Sequence, residues 1–90
     1  MQTYHFIVKG HVQGVGYRFT MYLNATKIGI KGTIKNLIDD DNVEVFAQGD
    51  IEQIEKFRKC LRLGSLTSRI YSISENVIEG EKYDSFEIIY

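Results

Sequence analysis

A chain of 90 residues with 43% apolar and 26% charged side chains makes one small soluble domain, too apolar to be disordered and too irregular for a coiled coil. A formal net charge of -1 argues against the basic footprint of a nucleic-acid binder, and the single cysteine, Cys60, excludes an internal disulfide and suits a reducing cytosol. No stretch approaches the roughly 20 apolar residues of a membrane span, and the opening MQTYHFIVKG lacks a basic segment followed by a long apolar run, so a cytoplasmic protein is expected.

Residues 4–12 alternate, with Tyr4, Phe6, Val8, Gly10 and Val12 on one parity and His5, Lys9 and His11 on the other, which predicts a half-buried strand. From Tyr17 to Ile28 the spacing turns helical, with Phe19, Tyr22, Leu23 and Thr26 able to share a face and Gly29 placed to end it. Residues 30–38 alternate again, with Ile30, Ile34 and Ile38 on the inner side, and an acidic turn at 39–42 leads into NVEVFAQG, so a hairpin is expected. Asp50 with Gln53 three residues on has the pattern of a capping box, and Ile51, Ile54, Phe57 and Leu61 form an apolar stripe before Gly64. Strand character returns at 69–75 and 85–90. The order strand, helix, strand, strand, helix, strand, with a short terminal strand, predicts a ferredoxin-like α+β fold: an antiparallel sheet with two helices on one face. That architecture hosts carriers, binding modules and enzymes alike, so function must come from a site.

The stretch GHVQGVGYR, residues 10–18, concentrates glycine just before an arginine where a strand feeds a helix. Gly14 and Gly16 can take positive φ and turn backbone N–H groups into a concavity; the helix N-terminus and the guanidinium of Arg18 add preference for an anion. A tight turn beside a solvated arginine is the plainer alternative. Dinucleotide and Walker-type loops are excluded, since Phe19 stands where a third glycine would fall and no Gly-Lys-Ser/Thr occurs. Asn36 shares the inner parity of its strand; it either begins the hairpin turn or uses its amide to orient a water or substrate. His5 and His11 lack an evident third metal ligand, Cys60 reads as a partly buried apolar residue, and Asp39, Asp40 and Asp41 read as a solvated turn rather than a metal site. The Asn24-Ala25-Thr26 acceptor pattern falls inside a predicted helix and is expected to be silent.

Gly10, Val12, Gln13, Gly14, Val15 and Arg18 meet the signature Gly, any residue, Val, Gln, Gly, Val, two residues, Arg. With KGTIKNLIDDDNVEVFAQGD downstream, the chain resembles the acylphosphatase family over essentially its whole length, as a single domain over 1–90. The resemblance implies hydrolysis of the carboxyl-phosphate bond of acyl phosphates to a carboxylate and inorganic phosphate, without metal or organic cofactor. It puts the phosphate-binding, catalytic arginine on Arg18, the phosphate cradle on Gln13, Gly14, Val15, Gly16, Tyr17 and Arg18, and the water-positioning asparagine on Asn36. The implied partners are a small acyl phosphate and inorganic phosphate as product and competitive inhibitor; a monomer without nucleic-acid or membrane partner is expected. The chain departs from the family pattern at Thr33, where tryptophan is usual, and in a 39–42 turn one residue longer and more acidic than usual, which at the rim of a site would discourage anions. GSLTSRI at 64–70 matches only loosely. A non-catalytic module that binds a phosphorylated ligand in the same cradle is the alternative reading.

Overall fold

Seven elements follow in the expected order: β1 (Gln2–His11), α1 (Tyr17–Ile28), β2 (Lys31–Asn36), β3 (Asn42–Gln48), α2 (Ile51–Leu63), β4 (Arg69–Glu79) and β5 (Phe86–Ile89). They come from a computed structural model that describes residues 1–38 and 41–90. The strands form one sheet in the order β4-β1-β3-β2-β5. β1, β2, β3 and β4 pair antiparallel, as the alternation predicts, whereas β5 lies parallel to β2, so the sheet is mixed at that edge. Both strand-helix-strand connections skip one strand, which gives the split βαβ arrangement of the ferredoxin-like fold.

The inner face of the sheet contributes Phe6, Val8, Ile34, Val43, Val45, Ala47 and Phe86 to the core, and the helices cover it with Tyr17, Met21, Ala25, Ile54, Phe57 and Leu61. Phe57 meets Phe6 and Phe86 edge-on, with centroids 6.3 and 5.9 Å away, so one aromatic side chain of α2 locks onto β1 and β5 together. The α2 capping box forms as predicted: Asp50 accepts from Gln53 N at 2.8 Å and donates its own N–H to Gln53 Oε1 at 2.8 Å. Gln53 Nε2 also reaches Ile28 O at 3.2 Å, which ties the start of α2 to the end of α1.

Three apolar assignments differ from the sequence reading. The stripe Phe19, Tyr22, Leu23 and Thr26 is not the core face of α1; Phe19 and Leu23 are 59% and 50% exposed, and Tyr17, Met21 and Ala25 are buried instead. Apolar residues surround this helix, so 3.6-residue spacing supports two stripes, and docking on α2 selects one: Tyr17 Oη donates to Leu61 O at 2.8 Å. Ile38 stands beyond the end of β2 and is 98% exposed, and Ile51, at the first turn of α2, is also exposed. β4 is longer than predicted because it pairs with the whole of β1, from Gln2↔Glu79 to His11↔Arg69.

Two glycines permit close backbone contact within the sheet. Between Lys9 and Gly10 the β1–β4 register shifts, and a Cβ at Gly10 would lie 1.9 Å from Arg69 O. At Gly32, between β3 and β5, a Cβ would lie 1.8 Å from Phe46 O. Gly32→Ala must push apart backbones on which Asn36 depends for its position. It is expected to destabilise the fold by about 1–3 kcal/mol, read as a lowered denaturant midpoint at unchanged slope. A midpoint equal to that of the unmodified chain would show that the sheet yields there at no cost. The neighbouring Thr33 pairs with Phe46, whose other side is covered by His5 in a stacked contact with centroids 4.5 Å apart.

Candidate phosphate site at the end of the sheet

Between β1 and α1 the backbone reverses hand twice. Gly14 has φ +74° and Gly16, the residue preceding the helix, has φ +75°, while among the described residues only glycines take a positive φ. Alternation of this kind turns successive N–H groups to one side and makes a concave anion receptor. A Cβ at either glycine would meet nothing within 4 Å, so these positions are glycine for conformation rather than for space. Residues 13–16 form a hydrogen-bonded turn, and among the described residues no side chain accepts from the amides of Gly14, Val15, Gly16, Tyr17 or Arg18. The first turn of α1 carries no acidic residue that would oppose an anion.

Arg18 closes this concavity. Its Nη1 donates to Ile89 O over 3.4 Å, its guanidinium lies 5.1 Å from the centre of the Tyr90 ring, and among the described residues no carboxylate pairs with it. The fork therefore keeps most of its donors for a ligand. Two adjoining clefts share Arg18 and Tyr90. The smaller, about 140 Å³, is floored by Gly14, Gly16 and Tyr17, and the larger, about 560 Å³, is bounded by Lys35, Asn36, Leu37, Ile38 and Ile89. Sequence reasoning brought Arg18 and Asn36 to one site, and they do line one cleft. Asn36 Oδ1 is buried and has no hydrogen-bond partner among the described residues. An amide oxygen left so costs about 1–3 kcal/mol, a rarity that calls for an explanation.

The remaining cradle residues divide by function. Tyr17 sends its side chain into the core, where burial raises its pKa and keeps the hydroxyl protonated to donate to Leu61; only its backbone faces the cradle. Val15 packs against the core and its carbonyl accepts from Ser65 Oγ at 2.9 Å. Gln13 faces the hairpin turn, where its Nε2 donates to Leu37 O at 2.8 Å and Asn42 O at 2.9 Å. Its own N–H donates to Asp41 Oδ1 at 2.6 Å, so this amide is engaged within the protein.

Three contributors escaped the sequence reading. Asp41 accepts from Val12 N as well, at 3.2 Å, and its Oδ2 lies 2.9 Å from His11 Nδ1. The Gln13 hydrogen bond is the largest cause that holds the Asp41 carboxyl below its ordinary range; burial is the next largest and opposes it, and Val12 and His11 assist the lowering. Ser65 and the 89–90 segment are the others, and neither has a local sequence signature. The two histidines serve different carboxylates, since His5 Nε2 meets Glu44 at 2.9 Å, and Glu44 also lies 3.8 Å from Lys35 Nζ. Burial pushes the Cys60 thiol up, away from nucleophilic character. Among the described residues no three His, Cys, Asp or Glu side chains stand close enough to hold a metal; Asp39 and Asp40, the rest of the acidic run, lie outside them. No described helix is long and apolar enough to cross a membrane.

The fold is ferredoxin-like, and its site joins a glycine-lined cradle to an arginine and a buried amide. The sequence profile of the acylphosphatase family matches residues 4–88. An acylphosphatase of Actinobacillus pleuropneumoniae is 45% identical over 89 residues, which is 98% of each chain. The crystal structure of acylphosphatase from Bacillus subtilis superposes with a TM-score of 0.94 at 34% identity over the full length of both chains. T. kodakarensis HypF matches at 36% identity and a TM-score of 0.84 over 98% of this chain but only 12% of its own. This chain belongs to the acylphosphatase family, and so to the hydrolases.

Proposed function

We propose that the chain hydrolyses small acyl phosphates, with Arg18 and the 13–18 loop holding the phosphoryl group and Asn36 positioning the attacking water. The observation that carries this reading is that Asn36, whose Oδ1 is buried and has no hydrogen-bond partner among the described residues, lines the same cleft as Arg18. The water oxygen attacks phosphorus in line, the bond from phosphorus to the acyl oxygen breaks, and the carboxylate departs with the electron pair. A carboxylate is a good leaving group, so no strong general acid is required, and a phosphoryl oxygen can take the proton of the water. What is left for the protein is positioning and stabilisation of charge on the equatorial oxygens. The amides of Gly14, Val15, Gly16, Tyr17 and Arg18 suit that task; Gln13 contributes through its ties to the hairpin. The reading includes a monomer acting in the cytoplasm on a small molecule, in keeping with a net charge of -1.

The experiment is hydrolysis of benzoyl phosphate with a chelator present, beside a phosphate monoester under the same conditions. Turnover of benzoyl phosphate, competitive inhibition by inorganic phosphate and far slower hydrolysis of the monoester are expected. Phosphate binding without turnover would instead support the second reading, a non-catalytic phosphate-binding module. That reading draws on the match to a small part of the much longer HypF chain. Activity lost to the chelator would overturn a metal-free mechanism.

A further inference from the structure

Asp41 is hydrogen-bonded to the loop of the candidate phosphate site, and by charge alone it should repel phosphate. The geometry of Asp41 points the other way. Its Oδ1 holds the N–H groups of Gln13 and Val12, its Oδ2 meets His11, and the Gln13 side chain returns two hydrogen bonds to the hairpin carbonyls of Leu37 and Asn42. The hairpin is itself closed between Leu37 N and Asn42 O at 3.0 Å. The clasp is thus reciprocal: backbone donors of the loop bind a side chain of the turn, and a side chain of the loop binds backbone acceptors of the turn. Gln13 immediately precedes Gly14 of the cradle, and Leu37 immediately follows Asn36. The two parts of the site are therefore fastened together one residue from each.

We propose that Asp41 is a positioning residue, whose carboxylate fastens the 12–16 loop to the β2–β3 turn and so sets how tightly the cradle holds a phosphate ion. The claim rests on the phosphate reading of the cradle given above. Hydrogen bonds from Val12 and Gln13, with His11 on the other oxygen, favour the charged form of Asp41 and direct it toward the loop, and they fix the direction of the amides that follow. Repulsion and positioning predict opposite signs. If Asp41 acts by charge, removing it tightens phosphate binding; if it acts by position, removing it weakens binding.

The test is titration of the unmodified chain, Asp41→Ala and Asp41→Asn with inorganic phosphate, followed by amide ¹H–¹⁵N signals of residues 13–18. Amide hydrogen exchange and the KM and kcat for benzoyl phosphate are measured on the same samples. Loss of charge-assisted hydrogen bonds in Asp41→Ala should raise the phosphate dissociation constant about tenfold or more. Asp41→Asn keeps an acceptor oxygen for the two amides and an N–H₂ for His11, and should recover to within about threefold of the unmodified chain. KM should follow the same order, and exchange of the Gln13 amide should quicken in Asp41→Ala but not in Asp41→Asn. Unchanged or tighter phosphate binding in Asp41→Ala, or no recovery in Asp41→Asn, would overturn the proposal. If phosphate moves no signal even in the unmodified chain, the phosphate reading itself fails. The exchange data then decide the clasp alone: rapid Gln13 exchange confined to Asp41→Ala upholds it, and equal exchange in all three refutes it.

Discussion

Arg18→Gln is expected to lower kcat/KM for benzoyl phosphate by about 10²–10³-fold, the loss typical of one preorganised donor to a transition-state anion, or about 2.7–4 kcal/mol. Glutamine keeps length and one N–H₂ but removes both the charge and the planar fork. Because the guanidinium meets no described carboxylate and donates only over 3.4 Å to Ile89 O, little of its hydrogen-bonding capacity is spent inside the protein. Affinity for inorganic phosphate should fall with the rate, since the same donors hold the ground-state anion. Arg18→Lys separates charge from shape: it should retain part of the phosphate affinity and much less of the rate. Should Arg18→Gln bind phosphate and turn over substrate as the unmodified chain does, Arg18 would be only an anchor for the Tyr90 ring. Chevron or melting data on the same variants guard against that ambiguity, because loss of the anchor alone would appear as stability and not as rate.

Asn36→Ala should have the opposite profile, with turnover reduced about 10²–10³-fold and phosphate affinity nearly unchanged, since a group that aligns only the attacking water contributes to kcat and not to binding of the product ion. The variant also removes a buried amide oxygen that lacks a partner among the described residues, so stability should hold or rise slightly, which is unusual for truncation of a half-buried side chain. A gain or constancy in stability together with a collapse in rate is the signature of a residue kept for chemistry at the expense of the fold. Near-normal turnover in Asn36→Ala would sink the water-positioning role, and a matching loss of phosphate affinity would move Asn36 into the cradle.

The elements were legible in the sequence because each has a local cause; Arg18 and Asn36 stood out as candidates, but their roles came from the family resemblance and not from any local rule. Period-two alternation in 4–12 and 30–38, the Asp50–Gln53 pair and the glycines at 14 and 16 act over a few residues; the strands form over Gln2–His11 and Lys31–Asn36, the capping box closes and both glycines take positive φ. What escaped is set by tertiary contact. No local rule says which of two apolar stripes of α1 meets α2; the Tyr17–Leu61 hydrogen bond decides that across 44 residues. The same holds for Ser65, which reaches the Val15 carbonyl across 50 residues, and for the parallel docking of β5 against β2. In the acidic run the residue types were visible but their directions were not. Asp41 proved to turn toward the loop, where its carboxylate, though still exposed, accepts the N–H groups of Gln13 and Val12.

The contact between Arg18 and Ile89 spans 71 residues, and β1, which leads into the cradle, is held on its outer edge by β4 through pairs as distant as Gln2 and Glu79. Contacts so far apart in sequence close the largest loops, whose entropy is lost before any contact compensates it, and chains rich in them fold slowly. The cradle loop can curl early, since its glycines need only their own backbone. The arginine that completes it has no fixed place until the last strand has docked. The place of Arg18 therefore depends on the docking of β5 against β2, far from the glycine loop in sequence, while the loop itself depends on its own backbone.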